Sequence, residues 1–469
     1  MGQQDQRAVM LGQWPVKKVL IHLAIPSILG MVANGIYNIV DTIFVGRLGV
    51  TAIGAVSIAF PFFMMIAGVG LAVGIGSASY ISRLLGMGRR AEAEKTAMTG
   101  ILMVTVVGIL FAALTQTFLE PMLRVFGATD TILPDAMLYS RWLLIGAPII
   151  MLKITLNNLL RSEGSARASM TALLMGAGLN IILDPLFIFT FNMGIVGASV
   201  ATVVAQAVAV AYQLWYYLAG RSYVQLSWAR LRPNPEILKQ IVTIGMPIFV
   251  TQLLNSAAMA MINVGAAPYG DAAVASMGVV KRVMALGMFT VFGYAQGFQP
   301  VAGFNYGARN FERLGEAIAF SVKLMTVFTV AATVLFITFS ETVISWFSTD
   351  PEVLEIGSRA LVALSAPFPL LGFQLVYFSL FQALGKALPA AILSFSRQGL
   401  LLIPMIIILP RFWGLNGVIL AQPAADALTI AITAVLAVFI SRQLRREAEA
   451  YAEAQLAQRP ATQVPAKET

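Results

Sequence analysis

The chain has 469 residues, 58% of them hydrophobic and 11% charged, and a mean hydropathy of +0.81. Soluble domains are about 25% charged, so 31 Lys and Arg with 22 Asp and Glu cannot cover a water-soluble fold of this length, and the chain reads as an integral membrane protein. The absence of cysteine excludes disulfides and thiolate sites, and the single histidine, His22, excludes a His-rich zinc centre.

Residues 1–18 are polar. The apolar run that follows is too long for a signal-peptide core and is expected to remain in the membrane. Stretches long enough to cross about 30 Å of hydrocarbon recur from there on. They are predicted near 20–44, 52–83, 97–119, 134–160, 168–190 and 195–219, and again near 241–266, 272–303, 315–339, 354–381, 388–409 and 415–440. These runs are continuous, unlike the short alternating segments of a membrane β-barrel. The polar stretch 220–240, with Arg-Pro-Asn-Pro, reads as a linker. From Ser441 onward a short frayed helix and a disordered tail are expected. The expected organisation is an N-terminal segment 1–19, a lobe 20–219, the linker 220–240, a second lobe 241–440 and a tail 441–469.

Charge placement sets the orientation. The loops and ends on the side of the N-terminus hold 21 Lys and Arg, whereas the opposite loops hold three, Arg47, Arg124 and Arg411. By the positive-inside rule both termini are expected in the cytoplasm. The opposite loops carry Glu120, Asp130, Asp135, Asp271, Glu341, Asp350, Glu352 and Glu355. The net charge of +9 therefore reports topology and implies no nucleic-acid partner.

The sequence repeats at a shift of 219 to 221 residues: Pro26/Pro247, Asn34/Asn255, Gly49/Gly270, Gly88/Gly307, Arg90/Arg309, Phe126/Phe347, Pro148/Pro367, Gly164/Gly385, Gly194/Gly414 and Gly197/Gly417. Six helices per half place both halves in the same orientation. The expected fold is an all-α membrane protein of twelve transmembrane helices, two six-helix lobes related by a parallel pseudo-twofold axis around a central cavity.

Asp41, Asp184 and Asp426 are the acids placed well inside predicted helices. A carboxylate at bilayer depth costs about 2.5–3.5 kcal/mol on insertion scales, so each calls for a reason. Asn34, Tyr37, Asn38 and Asp41 form a stripe at i, i+3, i+4 and i+7, four turns after Pro26, a possible hinge. Asp41 is either functional or an interfacial acid reaching for water. Asn180 and Asp184 are i, i+4, with Pro185 freeing backbone groups beside them; Thr202 and Gln206 make another such pair. The alternative for these four is ordinary interhelical hydrogen bonding. Asp426, whose repeat mate is Gln206, either faces the cavity or pairs structurally with Lys281, Arg282 or Arg397. Lys323 and Arg141 lie near helix ends, where their side chains can snorkel to water.

The first helix, AIPSILGMVANGIYNIVDTIFVGRLG, resembles the signature of multidrug and toxic compound extrusion (MATE) transporters. The loops GMGRRAEAEK and NYGARNFER, and the LLRSEG and FQALGK turns, are similar to that family's pattern. The resemblance covers nearly the whole chain, looks most like the DinF-like branch, and implies cation-coupled antiport of amphipathic, often cationic, drugs by a working monomer. It further implies a cation or proton site at Asp41, Asn180, Asp184 and Thr202, with Tyr139 and Asn157 lining the same cavity. Helix seven has no acid between Glu236 and Asp271, and helix ten none between Glu355 and Asp426, which argues against a cation site in the C-terminal lobe.

Oxygen ligands at such a site suit H⁺ or Na⁺ alike, and no other cofactor is expected. Tyr37, Asn34, Gln206, Met31, Met64, Met259, Met261 and Phe289 are candidate cavity residues. A flippase for lipid-linked precursors is the alternative; it needs bases in the cavity, and Lys281, Arg282 and Arg397 keep it open. An enzyme lacks its catalytic constellation here, a channel its filter, and an ATP-driven pump its GxxxxGK[ST] loop.

Overall fold

The computed structural model describes residues 3–226 and 234–457. They form helices α1 (Gln3–Gln13), α2 (Val16–Gly46), α3 (Val50–Gly86), α4 (Arg90–Thr117), α5 (Leu119–Val125), α6 (Leu133–Ile145), α7 (Ala147–Ser162), α8 (Ala166–Pro185) and α9 (Gly194–Leu218) in the first half. The second half carries α10 (Pro235–Ala266), α11 (Asp271–Gly307), α12 (Phe311–Thr338), α13 (Ser340–Ser345), α14 (Pro351–Ser365), α15 (Phe368–Ala383), α16 (Ala387–Phe395), α17 (Leu402–Trp413) and α18 (Leu415–Ala457). Ten spans are long and apolar enough to cross a membrane, and the bent pairs α6/α7 and α14/α15 make twelve. There is no strand among the described residues.

The bends measure 50° and 49°. They fall beside Pro148 and Pro367, a repeat pair, where the missing N–H of proline breaks the helical ladder. Turns of π-helix join α8 to its exit, Leu186–Thr190, and α16 to α17, Ser396–Leu400. The repeat is also written in backbone geometry: Gly49 and Gly270, Gly164 and Gly385, and Gly194 and Gly414 all take positive φ. One register needs correction. The positive-φ partner of Gly88 is Arg309, and Gly86 matches Gly307, so the pairings Gly88/Gly307 and Arg90/Arg309 were displaced by two residues. Glycine's frequency made the false match available.

The chain ends add two features. The N-terminal segment holds a docked helix, α1: Leu11 is buried, its carbonyl accepts from Asn305 and Arg313, and that of Trp14 accepts from Arg313. The helix expected after Ser441 is continuous with the last span, α18 running unbroken to Ala457. Residues 227–233 of the linker and 458–469 of the tail lie outside the described residues.

The lobes meet where α2 packs on α11 and α3 on α10. On the side of the described ends they share one core, in which Leu11, Leu20 and Leu84 join Phe298, Phe304 and Leu380. On the opposite side the cores are separate. Phe62, Leu123, Leu143 and Ile195 belong to the first lobe, in a cluster whose second-lobe members, Ile237 and Ile241, lie in the first turns of α10 on the side of the chain ends, whereas Ile262, Met277, Leu361 and Ile419 belong wholly to the second. The cleft between the lobes thus opens away from the chain ends.

Glycines make the closed side possible. A Cβ on Gly86 would strike the carbonyl of Phe304, and one on Gly307 the carbonyl of Arg83. Phe304 and Arg83 are themselves 221 apart, so the two contacts are images of each other across the pseudo-twofold axis. Gly245 against Ala72, and Gly293 and Gly297 against Ile28 and Ala24, continue the seam. Small residues let membrane helices approach to backbone contact.

Candidate functional site

Three helices of the first lobe converge near its open side. Asp41 stands five residues before the end of α2, Asp184 one residue before the end of α8, and Thr202 eight residues into α9. At 1.5 Å per residue, Thr202 lies about 12 Å in from the start of its helix. Pro185 and the π-turn that follows it end α8 immediately after Asp184, so backbone is irregular where the acid sits.

Asn180 and Asp184 are both fully buried. Asn180 Nδ2 donates to Asp184 Oδ1 at 3.1 Å and lies 3.3 Å from Thr202 Oγ1. The carboxyl of Asp41 lies close to that of Asp184, and the Tyr37 hydroxyl lies close to both acids and to Thr202. Tyr139 is buried within electrostatic reach of Asp41, Tyr37 and Asp184. Asn180 Oδ1 and Asp184 Oδ2 are buried with no hydrogen-bond partner. Asp184 is fully buried and Asp41 half-buried, and two carboxylates this close repel each other; a proton or a cation between them removes the repulsion. The unpartnered oxygens are hard donors of the kind an alkali cation or a proton takes.

The structure therefore brings Asp41, Asn180, Asp184, Thr202, Tyr37 and Tyr139 together. Gln206 sits one turn farther along α9, its Oε1 also buried without a partner. Asn38 does not join them: it is exposed and its amide folds back to the backbone carbonyl of Asn34, which is itself half-buried. Asn157 is a correction. Its Nδ2 donates to the carbonyl of Ser169, and its Oδ1 accepts from Arg161 and Ser169, so both ends of the amide are used to tie α7 to α8. Pro26 lies inside α2, which is helical throughout. Of the apolar candidates, Met31 and Phe289 lie on the seam between the lobes, Met31 accepting from Gln296 and Phe289 covering Gly35; Met259 is exposed.

In the second lobe Arg397 Nε lies 2.8 Å from Asp426 Oδ1, which also accepts from Gln422 Nε2 at 3.1 Å. Lys281 Nζ donates to Gln422 Oε1 at 3.2 Å, while Arg282, next to it, is exposed and stands apart. Gln422 was missed by the sequence reading, although the repeat pointed to it: it is the image of Thr202, as Asp426 is of Gln206. A second missed residue is Glu163, which closes the first lobe beneath α1. It is fully buried and accepts from Arg7, Ser165, Ser222 and the N–H of Val224. Burial holds its carboxyl above the usual carboxylate range, against the pull of Arg7 and of those donors. Only its place in the LLRSEG turn hinted at a role.

Two segments, residues 26–186 and 247–408, match the family profile MatE. The chain is 28% identical over 440 residues to the multidrug export protein MepA of Staphylococcus aureus strain N315, covering 94% of this chain and 97% of that one. It is likewise 28% identical over 442 residues to MepA of Staphylococcus saprophyticus, with the same coverages. Among solved structures, one described as the outward-facing conformation of a multidrug resistance MATE family transporter of the MOP superfamily superposes with a TM-score of 0.89, 28% identity, and coverage of 94% and 99% of the two chains. A MATE structure in complex with MaD3S gives 0.88 at the same identity and coverage.

Proposed function

The chain belongs to the MATE family of transporters, and from that premise we propose that it is a multi-pass antiporter of a prokaryotic cytoplasmic membrane, exporting amphipathic organic compounds in exchange for H⁺ or Na⁺. It is a transporter and not an enzyme. The multidrug export activity in the names of its relatives supports the cargo class. The positive-inside count supports a cytoplasmic location for both termini. With that orientation, the shared core and the glycine seam close the cytoplasmic side, and the cleft faces outward.

One observation carries the coupling assignment: Asp41 lies close to Asp184, which Asn180 links to Thr202, with a carboxyl and an amide oxygen left buried and unpartnered. A coupling ion drives a conformational cycle only if it binds the two states differently. Asp41 rides on α2, which also packs on α11 of the other lobe, whereas Asp184 and Thr202 belong to α8 and α9. A proton or Na⁺ between the two acids would couple the position of α2 to the rest of its lobe. The inward-facing state would then release the ion and admit new cargo. The flippase alternative is not favoured: Arg397 is paired with Asp426 and Arg282 stands apart, leaving no open cluster of three bases for a pyrophosphate.

The test is transport of a fluorescent organic cation in proteoliposomes under an imposed pH gradient and, separately, a Na⁺ gradient, with Asp41→Asn as control. Export driven by one gradient and lost in the variant is the expected result. Export indifferent to both gradients, or untouched by the substitution, would remove the coupling assignment.

A further inference from the structure

The two lobes carry side-chain clusters of opposite charge on repeat-related helices. In the first lobe Thr202 and Gln206 of α9 accompany two acids. In the second their images, Gln422 and Asp426 of α18, accompany two bases, Lys281 of α11 and Arg397 of the π-turn after α16. Lys281 stands ten residues past the start of α11 and Asp426 eleven past the start of α18, which puts both about 15–17 Å in from the open side. A formal charge at that depth is maintained for a purpose or compensated. Here the compensation is incomplete, since one carboxylate serves two bases.

The hydrogen bonds show where the surplus lies. Asp426 Oδ1 is taken by Arg397 Nε and by Gln422 Nε2. Lys281 gives one bond, to the neutral oxygen of Gln422, and an ammonium has three N–H groups to give. Arg397 engages the carboxylate through Nε, so its terminal nitrogens remain free for a second acceptor. Lys281 is half-buried as a residue, and the Arg397 side chain is 17% exposed. Gly278, one turn before Lys281, faces open space. The π-turn that carries Arg397 is a local departure from α-helix of the kind found at functional sites.

We propose that Lys281 and Arg397, held by Gln422 and Asp426, form an anion subsite in the C-terminal lobe that receives the carboxylate of a zwitterionic or anionic organic cargo. This rests on the export reading above and deepens it, since it gives the carboxylate of such a cargo its own recognition site in the C-terminal lobe. The carboxylate completes the cluster as one acid per base, accepting from the free N–H groups of Lys281 and the terminal nitrogens of Arg397. A purely cationic cargo gains nothing there.

The probes are ciprofloxacin, its methyl ester and ethidium, in equilibrium binding to the purified full-length protein, wild type, Lys281→Gln and Lys281→Arg. Thermal melting of each variant checks its folding. Wild type is expected to bind the acid at least about tenfold more tightly than the ester, the scale of one charge-assisted contact. Lys281→Gln is expected to erase that preference and leave ethidium binding unchanged, while Lys281→Arg keeps it. Equal affinity of wild type for acid and ester, or equal weakening of all three ligands by Lys281→Gln, would overturn the proposal. Failure of the export reading has a different signature: no gradient-driven ethidium transport by wild type in proteoliposomes, with the binding preference intact.

Discussion

Asn180 donates its amide hydrogen to Asp184 across one turn of α8, and in doing so leaves its own oxygen and the second carboxyl oxygen of Asp184 buried without partners. An asparagine placed only for structure would be expected to satisfy both ends of its amide, as Asn157 does. The contrast between these two asparagines is what the proposed coupling site would produce.

Replacing Asp184 with Asn keeps the shape and removes the charge. Gradient-driven transport is expected to fall at least about tenfold, the scale of losing one charged partner in a buried site. The protein should still insert and melt as a folded species. Proteoliposome transport measured beside thermal melting checks this, and a variant that folds and transports normally would move the coupling site elsewhere.

The glycine seam predicts a shift between conformations. Gly86→Ala or Gly307→Ala puts a methyl group into the backbone of the opposite lobe, at two symmetry-related points of the closed side. Strain of about 1.4 kcal/mol changes the ratio of two states tenfold. The native chain has no cysteine, so single cysteines introduced along the cleft report accessibility without background. Labelling should rise on the side of the chain ends and fall on the opposite side; labelling unchanged on both sides would show that the seam yields without opening.

Glu163 gives a pH dependence whose sign is fixed. Its folded-state value is raised, chiefly by burial, so on acidification the native state takes up the proton before the unfolded chain does. The stability it contributes is complete below the unfolded value, about 4.3, and is lost as pH rises through the folded value. Melting followed from pH 4 to 8 should show that slope, reduced in Glu163→Gln. The glutamine also turns an N–H toward Ser222 Oγ or the N–H of Val224, so it should be less stable at neutral pH by about 1–3 kcal/mol.

Arg397 and Asp426 should behave as one unit. Removing a single member of a buried pair costs about 3–5 kcal/mol, because the other charge is left behind, whereas replacing both with apolar groups is often neutral. Arg397→Met and Asp426→Leu are each expected to lower the melting temperature, and the double variant to recover most of the loss. Additive losses would mean that the 2.8 Å contact does not couple them.

Much of the architecture was legible in the sequence because it follows from local physics. Twelve apolar runs must be helices, since lipid offers backbone groups no other partner. The constant offset of the repeat fixed two lobes of like orientation, and the scarcity of intramembrane acids singled out Asp41, Asp184 and Asp426. The resemblance to MATE transporters came from the first helix, which contains Asp41, and from loop and turn motifs in both halves. Tertiary structure alone decided which polar groups meet. Asp41 comes close to Asp184 from another helix, whereas Asn157 turns back to Ser169 and Arg161, and a helical period cannot tell these fates apart because it fixes a side chain's direction about its own helix and not the neighbour that it meets. It also decided the fate of charges outside the membrane: Arg7 and Glu163 are 156 residues apart in the chain and 3.0 Å apart in the fold, a contact set by packing at a distance that no local pattern encodes.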